Sequence, residues 1–270
     1  MASDILRRSF APVASEAWAE IDVRAKEIFQ TSLTLRSIVD FSGPHGWEFA
    51  ALNLGRLDVT GKKPVDGVTW GLRQVMPAVE TRIPFSLKQM DLDSVTRGSK
   101  NPDLGPLEEA ARKAAFFEEN CLYNGFKAGG IPGLFPSAEQ PAVALPGSME
   151  DMPKAAAQAV QAIQGAGIPG PYTLVLAPAQ YQALMQAAKG GFPIHRAVRE
   201  ILGGGILWSS ALSGGVILSV RGGDFELAVG QDLSIGYWRH DGDSVDFYIT
   251  ESFTFRVIEP AAFVPLKGAK

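Results

Sequence analysis

Phe225-Glu226-Leu227-Ala228-Val229, Val245-Asp246-Phe247-Tyr248-Ile249 and Phe253-Thr254-Phe255-Arg256-Val257 place an apolar residue at every second position. Successive side chains of an extended chain point to opposite faces, so this alternation predicts strands that bury one face. Working outward, Tyr172–Leu176 is a short apolar strand, and further strands are expected at 206–209 and 215–220. Trp18, Ile21, Ala25, Ile28 and Phe29 recur at three- and four-residue spacing, which marks an amphipathic helix of about four turns. Leu107, Ala111, Ala114, Phe117, Cys121 and Leu122 mark a second long helix. Its wet side is assigned Glu108, Glu109, Arg112, Lys113, Glu118 and Glu119. Helices are also expected over Met149–Ile163, Gln180–Lys189 and Ile194–Leu202, the last two flanking Gly190-Gly191-Phe192-Pro193. With long antiparallel strands and no βαβ rhythm, the fold class is α+β.

Residues 54 to 87 read as a two-stranded ribbon. Leu57 and Val59 alternate outward, and Val68, Trp70 and Leu72 alternate on the return, around the polar tip Gly61-Lys62-Lys63-Pro64-Val65-Asp66-Gly67. An isolated ribbon is marginal in water, so it packs either on its own domain or on another body. Gly129-Gly130-Ile131-Pro132-Gly133 is a domain-boundary signal.

The 270 residues are 46% hydrophobic and 20% charged, as a globular core requires. A net charge of −4 with dispersed Lys and Arg disfavours nucleic acid, whose phosphates call for a basic face. One cysteine, Cys121, precludes an intrachain disulfide and fits a cytoplasmic location. No apolar run reaches the length of a membrane span, so no membrane partner is expected. Arg7-Arg8-Ser9-Phe10 imitates a twin-arginine export signal, but Pro12, Ser15, Glu16, Glu20 and Asp22 break the stretch that should follow.

No catalytic site, metal site or cofactor is expected. Gly165-Ala166-Gly167-Ile168-Pro169-Gly170 matches the dinucleotide fingerprint in letters, yet a helix precedes it and a strand follows. That is the reverse of the order that aims amides at a pyrophosphate. His45, His195 and His240 are scattered, and His240-Asp241-Gly242-Asp243 reads as a turn between strands. Cys121 falls on an apolar stripe, where a buried thiol is inert.

Arg8-Ser9-Phe10-Ala11-Pro12, then Trp18, Ile21, Asp22 and Ala25, resembles the opening of the encapsulins. Gly43 to Ala51, Asp91 to Gly98 and Gly170 to Val175 are similar to later blocks of that family. So are Arg221-Gly222-Gly223-Asp224-Phe225-Glu226-Leu227, Gly230 to Tyr237 and Thr250 to Phe255. The resemblance implies a Hong Kong 97-type capsid fold and a homo-oligomeric icosahedral shell that encloses a cargo enzyme. By the family pattern, that enzyme is a ferritin-like iron store or a dye-decolorising peroxidase.

The same resemblance implies a map of the chain. Residues 1–14 form an N-terminal segment, and 15–51, 82–130 and 227–256 a peripheral domain. Residues 52–81 form an extended loop over a neighbour, and 131–226 with 257–270 an axial domain. A targeting peptide at the cargo's C-terminus would dock against Phe29, Arg36, Ile38, Asp40, Asp232, Leu233, Ser234 and Ile235. Lys189, Gly190, Gly191 and Phe192 would surround a five-fold pore. Some relatives stack a flavin on a tryptophan, but Met90 stands at that position in Phe85 to Asp91, so none is expected here. The alternatives are a phage major capsid protein enclosing DNA and, from another class, a secreted bacteriocin or protease.

Overall fold

The computed structural model describes residues 4–59 and 65–268. Helix α1 spans Ser15–Ser32, and a 3-10 turn at Leu35–Ser37 leads into β1 (Asp40–Ser42). Strands β2 (Ala51–Asp58) and β3 (Leu72–Pro77) are the arms of the ribbon. β4 (Val79–Lys88), α2 (Gln89–Thr96) and α3 (Gly105–Asn124) follow. Next come β5 (Val143–Leu145), α4 (Met152–Gly165), β6 (Tyr172–Leu176) and α5 (Pro178–Gln186). The two-residue strands β7 (Ala188–Lys189) and β8 (Phe192–Pro193) precede α6 (Ile194–Leu202). β9 (Ile206–Trp208), β10 (Gly215–Ser219), β11 (Phe225–Val229) and β12 (Ser234–His240) come before β13 (Ser244–Val257) and β14 (Phe263–Gly268).

The alternating run near the chain's end is β13, and it organises the first sheet. Along one edge it pairs with β4, from Ser244 opposite Lys88 to Phe253 opposite Val79. Its other edge is shared by β12 and β11, and β1 adds to β11 in parallel. Phe85, Phe247, Ile249 and Ile235 face α1 and α3, forming a core with Trp18, Ile21, Leu107 and Ala111. Trp18 meets Phe247 edge-on at 5.3 Å, a geometry that adds about 1 kcal/mol beyond burial.

The second sheet has the order β5-β14-β10-β6-β9. Leu174, Leu176, Val216 and Leu218 are buried in it, with Ala156, Ala159 and Ile163 of α4 and Val198 of α6 in the same core. That core continues beneath the first sheet through Phe253 and Phe255, and takes in Cys121 and Leu35. Phe126 and Ile131 bridge each other across the Lys127–Gly129 turn, at the start of the Gly129–Gly133 segment.

Four expectations change. β6 and β9 pair in parallel, Leu174 opposite Ile206, so the chain does contain one βαβ crossover. Two short helices and a hairpin fill that crossover and hid its rhythm. α5 stops at Gln186, and Ala188-Lys189 instead pairs with Phe192-Pro193. Gly190 and Gly191 have φ of 58° and 82°, the left-handed pair that a two-residue hairpin turn requires. The ribbon is shorter than residues 54–87, because Val79–Lys88 leaves it to join β13. Finally, Glu118 and Glu119 are not on a wet face: they are 0% and 1% exposed.

The ribbon does not rest on its own body. Leu57, Val59, Val65, Val68, Leu72 and Val75 are all exposed along its described length. Gly61 to Pro64 of the expected tip lie outside the described residues.

Candidate functional site

A cleft of about 620 Å³ opens between α1, the turn that follows it and the Asp232–Ile235 segment. The helix supplies Ala25 and Phe29, its C-terminal cap supplies Leu33, and the facing segment supplies Leu233 and Ile235. These positions lie on the stripe by which α1 packs, and at its C-terminal end the stripe emerges from the core half covered. Leu6 and Arg8 of the N-terminal strap close a third side. The strap is fixed: the Tyr237 N–H donates to the Leu6 carbonyl at 2.8 Å, and Arg8 pairs with Asp22 at 2.7 Å.

The wall at 231–235 is held by its own polar groups. Asp232 Oδ1 accepts the Leu233 N–H at 2.8 Å, and the Ser234 hydroxyl donates to the Asp232 carbonyl at 2.7 Å. The Gln231 amide donates to Ser234 Oγ at 2.8 Å.

Below lies a charged floor centred on Arg36. Its Nη1 donates to Asp232 Oδ1 at 2.6 Å, and its Nε donates to Glu118 Oε1 at 3.2 Å. Its Nη2 donates to both Glu118 and Glu251. Burial works against the guanidinium charge, but Glu118, Glu251 and Asp232 outweigh it and hold the pKa above the ordinary arginine value. Glu251 lies far above the usual carboxylate range because it is buried and beside Glu118, with Arg36 opposing. Burial also lifts Glu119 to about 7, against the hydroxyl of Ser209 and the Leu35 N–H. Burial, Glu118 and Glu251 push the Cys121 thiol up to about 12, so it offers no thiolate nucleophile near neutrality.

Sequence reasoning missed Glu118, Glu119 and Glu251 as floor residues, although the signal was there. Glu118 lies four residues after Ala114 and three before Cys121, on the apolar stripe of α3. Glu251 is in phase with Ile249 and Phe253 on the buried face of β13. A carboxylate at a core position calls for a buried partner, and Arg36 is that partner.

Of the proposed docking residues, Phe29, Arg36, Asp232, Leu233, Ser234 and Ile235 all line this cleft. Ile38 and Asp40 do not. The 3-10 turn at Leu35–Ser37 redirects the chain, so Ile38 packs against the core and shares a small separate hollow with Asp40 and Phe225. Asp40 is engaged there, accepting the Gly223 N–H at 2.6 Å. The proposed pore residues form the β7–β8 hairpin, with Lys189 4.0 Å from Glu150 and Phe192 exposed.

The chemical motifs resolve into turns. α4 ends at Gly165 and β6 begins at Tyr172, so Gly165–Gly170 connects a helix to a strand. Asp241 caps the β12–β13 turn by accepting the Ser244 N–H at 2.8 Å. Among the described residues no group of three His, Cys, Asp or Glu side chains is placed to hold a metal. No described helix is long and apolar enough to cross a membrane. Met90 is exposed on α2 and has no ring on which a flavin could stack.

Two sheets that share a core, with a ribbon standing off the body, have the architecture of a capsid-type fold of the Hong Kong 97 class. Solved structures agree. A virus-like particle from Pyrococcus furiosus matches with a TM-score of 0.65 at 18% identity, covering 93% of this chain and 99% of the other. A chain of Gordonia phage Cozz matches with a TM-score of 0.58 at 12% identity, over 88% and 87%. Residues 3–254 match the family described as encapsulating protein for peroxidase. The type 1 encapsulin shell protein of Rhodospirillum rubrum is 40% identical over 269 residues, covering 97% of this chain and 96% of the relative. That of Rhodococcus erythropolis is 40% identical over 261 residues, covering 97% and 98%. The chain belongs to the encapsulins and is a shell subunit, not an enzyme.

Proposed function

We propose that the shell built by this chain encloses an enzyme, taken up when a short peptide at that enzyme's C-terminus docks in the cleft beneath α1. The observation that carries the reading is the convergence of Phe29, Leu33, Leu233 and Ile235 as apolar walls of one open cleft above the Arg36 floor. Such a cleft takes one or two aliphatic anchors, each contributing about 1.5–3 kcal/mol, so a single peptide binds modestly. Retention then comes from an oligomeric cargo that presents several peptides to many identical clefts. By family, the cargo is a ferritin-like iron store or a dye-decolorising peroxidase, which makes iron storage or defence against oxidants the service performed in the cytoplasm.

The apolar ribbon is completed by a second copy of the chain, across which it lies as the extended loop. The sheet containing β6, β10 and β14 belongs to an axial domain whose β7–β8 hairpin borders the five-fold pore. There Lys189 presents positive charge to small anions. Electron microscopy of the purified protein, with mass spectrometry of what co-purifies, tests all of this together. Closed shells containing one oligomeric enzyme are expected. The capsid fold also admits a phage particle, which the acidic net charge disfavours; shells with the absorbance ratio of packaged DNA overturn the proposal.

A further inference from the structure

The floor of the cleft contains more acid than base. Arg36 faces Glu118 from α3, Glu251 from β13 and Asp232 from the cleft wall. Glu119, Cys121 and Tyr123 of α3 lie alongside, the first accepting from Ser209 and from the Leu35 N–H. On β4, Thr81 lies opposite Glu251, while Glu80 and Arg82 pair with each other at the surface. One guanidinium therefore serves three carboxylates, and Glu118 and Glu251 are 0% and 2% exposed. Two buried carboxylates held by one cation leave an uncompensated charge, which low dielectric penalises heavily unless a proton is retained.

We infer that Glu251 retains its proton beside Glu118 and that the two act as positioning residues for the docking cleft, so that losing this proton loosens the wall that receives the peptide. The connection is direct. Arg36 Nη1 and the Leu233 N–H meet on the same oxygen, Asp232 Oδ1. When both glutamates are ionised they repel one another across the guanidinium, and the geometry that fixes Asp232 is lost. The wall from Asp232 to Ile235 and the turn from Leu33 to Ser37 then separate from their common anchor. The elevation of Glu251 by burial and by Glu118 is in the direction this requires. The proton leaves to solvent and no bond other than O–H is broken.

The inference rests on the docking reading for its consequence, but its core is testable without cargo. Hydrogen exchange of the assembled, empty shell is measured by mass spectrometry from about pH 6 to about pH 9, the range in which buried glutamates titrate. After correction for intrinsic exchange, protection of Leu33–Ser37 and Asp232–Ile235 is expected to fall about tenfold per pH unit above the transition, while the interior of β6 and β10 is unchanged. Glu251→Gln cannot ionise, and its protection is expected to be flat with pH. Glu118→Gln is the second variant and carries the same expectation. Glu119→Gln leaves the Glu251 proton in place and retains the wild-type profile in the Asp232–Ile235 segment. A wild-type profile without the fall, or a fall that survives in both Glu251→Gln and Glu118→Gln, overturns the inference. Should neither variant assemble, the wild-type profile alone decides. A proton-dependent wall in shells whose loading ignores Phe29→Asp keeps the inference and removes the docking reading; a flat wall with lost loading does the reverse.

Discussion

Glu119 Oε1 accepts the Leu35 N–H at 2.7 Å, tying α3 to the turn that follows α1 at the end of the cleft. Its other oxygen accepts the Ser209 hydroxyl at 2.7 Å, and Thr34 donates to the Trp208 carbonyl at 2.6 Å. Two sheets and the long helix are thus joined through one buried carboxyl group.

The junction makes stability depend on pH. Glu119 rises from 4.5 to about 7 on burial, so the folded state binds its proton more tightly than the unfolded chain. The contribution is whole below pH 4.5 and is lost as pH rises through about 7, amounting to about 3 kcal/mol. Thermal unfolding at pH 5 and at pH 8 should show the wild type less stable at the higher pH, and Glu119→Gln should narrow the gap. Equal gaps in the two proteins contradict this.

Phe29→Asp places a charge among the apolar side chains that line the cleft, at the half-buried edge of the core. Shells should form normally and purify empty of native cargo, as read by mass spectrometry and particle density. Full loading removes the cleft from the docking role.

Ile38→Asp should behave differently, because Ile38 packs against the core and not into the cleft. Burying the carboxylate there should destabilise the subunit by about 3 kcal/mol and lower the yield of folded protein. Stable, empty shells would place Ile38 in the cleft after all.

Leu57 and Leu72 project from the ribbon with 58% and 60% of their surface exposed. Leu57→Asp with Leu72→Asp should leave the secondary structure of the subunit intact by circular dichroism while reducing assembly on size exclusion. Normal shells with unchanged melting show that no neighbour covers these side chains.

Lys189 stands beside the Gly190-Gly191 turn with only a loose partner in Glu150. Lys189→Glu should leave assembly unchanged and slow the entry of a small anionic probe into the shell relative to a neutral one. Equal entry rates separate this hairpin from any pore.

Local patterns exposed much of this molecule. Alternation at Val245, Phe247, Ile249, Phe253 and Phe255 is visible in the residues, because successive side chains take opposite faces of a strand. The expected single buried face is corrected, since both faces are covered from Phe247 to Phe255. The stripe of α1 and the placement of Phe29 beside Leu233 were likewise readable, the latter through family resemblance. The β6–β9 crossover was hidden, since parallel pairing is a relation between distant segments and leaves no local period.

Composition and periodicity determined that the chain is α+β, that its ribbon needs a surface to lie on, and that no catalytic motif is in place. Those properties follow from side-chain polarity and spacing, which the chain carries before it folds. Only the tertiary structure decided that Glu118, Glu119 and Glu251 are buried and that Arg36 serves the floor of the cleft beside α1. Desolvation is a property of the assembled surroundings, so a glutamate's letter cannot report whether water or a guanidinium will face it.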